Sequence, residues 1–564
     1  MGTSIEIRHR LALRRLLFQR IFKSPSATRP FTSNTALASR ARPQLPFLSI
    51  PVTTNRRVRY FTTENKNWLK HEGRMFVRYN VAFWGSLVCI GGILFLLNQE
   101  WLEKSYPTPH EWSMMTRMLA RGAKSAARDT GTGGGKNWGE IIVTCEEIIK
   151  RLQDPKIDGA GVKELLNDEP LTIEGLGSVG KDISDKDENW RRGYYEIMLM
   201  LGNALEHTDG WVRDTTRNIT LPPKYVVGPS NPKPQPMPIG APTAPKEEDC
   251  VPAYDSAENV YLRILTTKGF TAKQKMDAAL SYAFFLDFKK MPDAAERVFD
   301  WALAIATEST APSSPPLVEP RTLTINDKST PPPENILTVL TAIATHKART
   351  GDMGAALPMF VSILRARRSL PTTPPPGSEE EGSRGPISLW ENLKKVAAAP
   401  TYPPPPPDGT QAPWRSPRHL CEEAALHLYI GEILYSSNDS TNSREEGLAW
   451  TRDGVDIAEE QLRDLGTETS RPRSVCKDCL STGLKNWSAM VKRLAKEEEL
   501  EKKKREENPP KSSFGGFWSQ PKPAETDGRW AAEQAVVYER IKRTNELLVE
   551  MAPPPVGFQD LFKA

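Results

Sequence analysis

The sequence predicts an all-α chain in which one N-terminal membrane-spanning helix is followed by a stack of short helices with proline-rich loops. Three observations carry this. Residues 80–97, NVAFWGSLVCIGGILFLL, hold no charged side chain. Beyond them the apolar residues recur at helical spacing and almost nowhere alternate as strands do. The 49 prolines concentrate at 221–252, 311–333, 370–386, 400–417, 509–523 and 553–555. A helix cannot continue through such runs, and stretches such as 403–407 favour polyproline II, so they read as linkers or exposed loops.

Residues 1–61 have the composition of a mitochondrial transit peptide. Glu6 is their only acidic residue, while Arg8, Arg10, Arg14, Arg15 and Arg20 open a basic series interspersed with Ser and Thr. Three arginines interrupt 11–22, so no compact secretory apolar core forms there. Arg29-Pro30-Phe31-Thr32 and Arg59-Tyr60-Phe61-Thr62 look like matrix-peptidase sites. The second is preferred, because it leaves a basic segment, 62–79, ahead of the span. At about 1.5 Å per residue, 80–97 covers roughly 27 Å, near the thinner end of bilayer hydrocarbon. Trp84 and Trp101 stand as interfacial anchors. Lys66, Lys70, Arg74 and Arg78 precede the span, whereas Lys104 alone follows it, beside Glu100, Glu103 and Glu111. The basic side is expected to stay in the matrix, which puts everything after Trp101 in the intermembrane space.

That soluble part divides into a helical region at 105–220, a proline-rich linker at 221–252, helical repeats at 253–500 with proline insertions, and a tail at 501–564. Helices are expected at 111–127, 137–152, 190–206, 259–265, 272–289, 294–307, 334–349, 354–367, 387–398, 418–435, 444–465, 473–507 and 529–551. The tail holds the end of a charged helix, a linker and a capping helix. Extended backbone is hinted at only by Val226 with Val227 and by 171–173.

Several helices pair. Ala283 is followed by Ala295, Phe299 and Ala302; Ala344 by Gly351 at a turn, then Ala356, Phe360 and Ile363. A looser copy has Gly431, then Gly447, Thr451 and Gly454. Small residues where two helices cross, with a large aromatic between them, in units of about 34 residues, form the tetratricopeptide pattern. Gly202 with Leu205, and Gly483, are further degenerate first-helix positions. In such a stack the first helices line a concave surface. The candidate peptide-groove residues are Leu280, Phe284 and Asp287; Thr341, Thr345 and Arg349; and Leu428, Glu432 and Tyr435.

No catalytic constellation emerges, and the chain reads as a non-enzyme that needs no cofactor or metal. The run 131–136 lacks the phosphate-loop spacing, and Asn137 stands where Ser or Thr would hold magnesium. No His pair has metal spacing, and no Gly-x-Ser-x-Gly elbow occurs. Cys476 and Cys479 form Cys-Lys-Asp-Cys without a second pair for zinc, within helical sequence, which favours simple packing over a redox or metal motif. The net charge of +5 is partly owed to the presequence and argues for no nucleic-acid partner.

The presequence and span, then Tyr106-Pro107-Thr108-Pro109, Glu111-Trp112-Ser113, Arg117 and the degenerate repeats, resemble the fungal tetratricopeptide-like adaptor subunits of the mitochondrial i-AAA protease complex. The resemblance covers roughly 74–500 in layout and rests on short motifs. It implies a non-enzymatic inner-membrane protein that binds the i-AAA protease and its associated subunits and delivers unfolded protein substrates to it. A scaffold or assembly factor for respiratory complexes or protein import would carry the same anchor and repeats.

Overall fold

The computed structural model describes residues 62–128, 136–165, 180–238, 240, 242–308, 316–326, 331–373, 402–437, 441–465, 471–507 and 528–550. The presequence, the glycine run 131–135, the extended hint at 171–173, the helix expected at 387–398 and the prolines of 509–523 and 553–555 lie outside them.

Among the described residues the chain is mostly helical. In order stand α1 (Thr63–Ser105), α2 (Met114–Arg128), α3 (Trp138–Gln153), α4 (Glu188–His207), α5 (Ala257–Thr266), α6 (Ala272–Phe288) and α7 (Pro292–Glu308). Then come α8 (Glu334–Thr350), α9 (Met353–Arg368), α10 (Pro417–Ser436), α11 (Thr441–Asp464), α12 (Arg471–Glu507) and α13 (Arg529–Glu550). From α2 onward each matches a helix expected from apolar spacing and turns apolar residues to the core, although residues 499–507 at the end of α12 are exposed throughout. Local signals fix the ends. Thr271 and Gln274 form a reciprocal capping box at the start of α6. Asp352 caps α9, and Gly351, at φ 95°, closes α8 in the left-handed region where a Cβ would be strained.

Helix α1 runs 43 residues and contains the whole of 80–97 with additional turns on both sides. It is the one described helix long and apolar enough to cross a membrane, with a mean hydropathy of 2.0 over 18 residues, none of them buried. Phe83 and Leu94 are 60% and 61% exposed.

From Ile93 onward the chain forms one compact unit. Each helix from α2 to α4 packs on the next, as do α4 to α10 in turn and α10 to α13. One apolar core runs from Trp112 to Ile433, and a second, from Cys421 to Val537, gathers α10 to α13. The small residues lie where helices meet: Ala283, Ala295, Ala302, Ala344 and Ala356 are fully buried, with Phe299 and Phe360 between them. The closest crossing joins α10 to α11. A Cβ on Gly431 would stand 2.7 Å from the Gly447 carbonyl oxygen, and one on Gly447 would stand 2.6 Å from that of Gly431. Gly202 receives the Tyr261 ring of α5, and Gly483 receives Leu428 and Val455.

The expectation of an all-α chain is corrected by two small antiparallel sheets. β1 (Lys163–Glu164) pairs with β2 (Lys181–Asp182), and β3 (Val212–Asp214) lies between β4 (Ile219–Leu221) and β5 (Cys250–Pro252). Register places Val212 opposite both Leu221 and Pro252. Asp214 closes the β3–β4 turn by accepting from the Thr216 amide at 2.8 Å and its hydroxyl at 2.6 Å. Residues 221–252, expected as a proline-rich linker, thus include the end of β4, the whole of β5, two short 3₁₀ turns and a bridge from Val227 to Lys246.

The cysteines also depart from expectation. Cys421, isolated in the sequence, is disulfide-bonded to Cys476, joining α10 to α12 with Cα atoms 5.1 Å apart. Cys479 remains a thiol, its Sγ 3.5 Å from the Cys421 carbonyl oxygen, and burial pushes it up to about 11.

Candidate functional site

The nine groove residues fall on the first helices of three helix pairs, and their environments differ. On α6, Leu280 is buried, and Asp287 bonds His346 Nδ1 at 2.8 Å across to α8. Phe284 is 38% exposed and meets Phe299 edge-on, centroids 5.4 Å apart. On α8, the Thr341 and Thr345 hydroxyls turn back to the Leu337 and Thr341 carbonyls at 2.7 and 2.8 Å, while Arg349 is exposed. On α10, Leu428 is buried beneath Gly454 and Gly483, Glu432 is exposed and accepts from Asn486, and the Tyr435 hydroxyl donates to the Met490 carbonyl at 3.0 Å. Phe284, Arg349 and Glu432 are therefore the exposed members of the nine. Thr341, Thr345 and Tyr435 are half-buried, and Leu280, Asp287 and Leu428 are committed to packing.

The motif after the span is tied into one knot. Glu103, in the last turns of α1, is 4% exposed. Its Oε1 accepts from the Thr108 amide at 3.1 Å and hydroxyl at 2.8 Å and pairs with Arg117 at 3.0 Å, while Arg121 binds Oε2. Arg121 also donates to Gln99 at 2.8 Å. Burial lowers the proton affinity of both arginines, yet each retains a carboxylate partner. Trp112 packs flat enough on α4 that a Cβ at Gly193 would lie 2.6 Å from its ring. The Ser113 amide and hydroxyl donate to Asp158 at 2.8 and 2.9 Å. Thr108, Trp112, Ser113 and Arg117 thus join α1, α2 and α4. A charge cluster this buried resists removal of any one member, since the others would be left unpaired.

A further surface was not signalled by local sequence. Residues 402–408, read as linker, lie along α4 and α6 and wall a cleft of about 490 Å³ with Arg192, Tyr195 and Asp277. None of the nine expected groove residues lines this cleft. No local pattern marks Arg192 or Lys273 as partners of prolines more than a hundred residues away.

Among the described residues no group of three or more His, Cys, Asp or Glu is placed to hold a metal ion. Protein-family models, curated proteins and solved structures give no match to the chain.

Proposed function

We propose that this chain is a non-enzymatic adaptor of the mitochondrial inner membrane, whose tetratricopeptide-like stack binds the i-AAA protease complex and brings unfolded protein substrates to it. The observation that carries the reading is the knot at Glu103. It ties the last turns of α1 to the helices that follow, so a surface suited to protein contacts continues directly from the end of the apolar helix. The small-residue crossings at Ala283, Ala344 and Gly431 support repeat-type pairing. The Cys421–Cys476 disulfide supports an oxidising compartment for the helical part, as the intermembrane space is, and disfavours the reducing matrix.

Affinity purification of the full chain from detergent-solubilised mitochondria tests this. The expected result is recovery of the i-AAA protease, with short-lived inner-membrane proteins persisting when the chain is deleted. Recovery of respiratory or translocase subunits without the protease would replace the adaptor by a scaffold.

A further inference from the structure

The cleft between α4 and α6 is partly filled by the chain itself. Arg192 reaches from α4 to lay its guanidinium on the Tyr402 ring, Cζ 4.1 Å from the centroid, and donates to the Pro403 carbonyl. The Tyr402 hydroxyl donates to Glu196 at 3.4 Å. At the other end Lys273 of α6 donates to the Pro407 carbonyl at 3.1 Å. A cation therefore grips the carbonyls at each end of a five-proline run, and an aromatic ring is seated at its head. Prolines offer carbonyl acceptors and ring faces but no N–H, so donors and flat side chains are what can hold them.

The grip is incomplete. Residues 403–408 stay exposed while they line the cleft. In its wall, the Tyr195 hydroxyl and Arg192 Nη1 have no hydrogen-bond partner, although both side chains belong to residues only 7% exposed. Buried donors without acceptors are costly and uncommon. Both unused groups are donors, and acceptors are what an extended proline-rich chain supplies.

We propose that the α4–α6 cleft is a receptor for an extended proline-rich segment of a partner protein, headed by an aromatic residue. Residues 402–408 occupy it as a displaceable stand-in. The site is independent of the adaptor reading, since it rests on side chains that read a peptide and not on the identity of any protease.

The test uses the full chain in detergent and a fluorescently labelled peptide with the sequence of residues 400–411, followed by polarisation. Two variants loosen the strap: Tyr402→Ala, which removes the seated ring, and Pro405→Gly with Pro406→Gly, which changes only exposed positions and so spares the fold. Both are expected to bind the peptide at least tenfold more tightly than the parent chain. Adding Arg192→Ala should remove that gain, Tyr195→Phe should weaken binding severalfold, and a peptide with glycine in place of its prolines should not bind. The proposal is overturned if neither loosened variant outperforms the parent, or if Arg192→Ala leaves their binding unchanged. Dimerisation of the loosened variants without peptide binding also overturns it, in favour of strap exchange between copies.

Discussion

His427 on α10 is 2% exposed, and its Nε2 stands 2.9 Å from Arg368 Nη2 while its ring leans on Trp450, centroids 4.8 Å apart. Arginine can only donate, so Nε2 accepts and the imidazole is neutral. Burial, and then the Arg368 charge, push its titration down from 6.5 to about 4. Between those values the unfolded chain binds a proton that the folded chain refuses. Stability from this group is fully present above pH 6.5 and is lost as pH falls towards 4. A shift of this size corresponds to about 3 kcal/mol at most. Denaturant unfolding of the detergent-solubilised chain at pH 7.5 and 4.5 should show a loss of about 2 kcal/mol that His427→Gln largely removes; equal slopes for parent and variant would dismiss the account. Individual side chains were the hardest features to read from sequence. Helical spacing places Leu280, Asp287 and Leu428 on first helices, but a residue lies about 100° round the axis from the next. A small error in phase therefore exchanges a groove position for a core one: Asp287, expected in the groove, is committed to His346 of the neighbouring first helix.

At the scale of elements, the helices were legible because each carries its own apolar stripe, its cap or its closing glycine. Gly431, Gly447 and Gly454 were legible as a crossing because small residues at helical spacing have one structural use, the close approach of two backbones. Replacing Gly431 by valine would drive a Cβ to 2.5 Å from Thr451 Oγ1 and into the Gly447 carbonyl. The α10–α11 pair would have to separate, and we expect a loss of about 2–3 kcal/mol. Circular dichroism melts of Gly431→Val should show this loss, while Gly122→Ala, inside α2 with nothing within 4 Å of its added Cβ, should not destabilise and should raise the melt slightly, by about 0.5–1 kcal/mol. The strands escaped the same reading for a physical reason. At two or three residues each they are too short for alternation to register, and β5 joins its sheet from 36 residues beyond β3 (250 − 214). The polyproline run escaped because composition marks it as unable to form helix, whereas its seat on α4 and α6 is set by Arg192 and Lys273 in the folded chain.

Across the whole molecule, the proposed topology draws support from charge and from sulfur. Lys66, Lys70, Arg74 and Arg78 precede the apolar stretch and a carboxylate-rich segment follows it, the bias expected if the proposed topology keeps the start of α1 on the negative side of the membrane. Independently, Cys421 and Cys476 are fully buried and joined, while Cys89, Cys145, Cys250 and Cys479 are thiols. The bond closes a separation of 55 residues, for which chain entropy alone gives about 4 kcal/mol of stabilisation. Such a bond persists only where thiols can be oxidised, so it joins the charge bias in supporting the proposed placement of the helix pairs in the intermembrane space. Denaturing mitochondrial protein in the presence of a thiol-blocking reagent and then reducing it should release two further thiols per chain, and Cys421→Ser should abolish both. Trypsin added after rupture of the outer membrane should digest the helical part and spare residues 62–79. If the helical part is instead protected and all six cysteines are blocked at the first step, the chain faces the matrix, and neither the adaptor reading nor the disulfide's role in holding α10 to α12 survives.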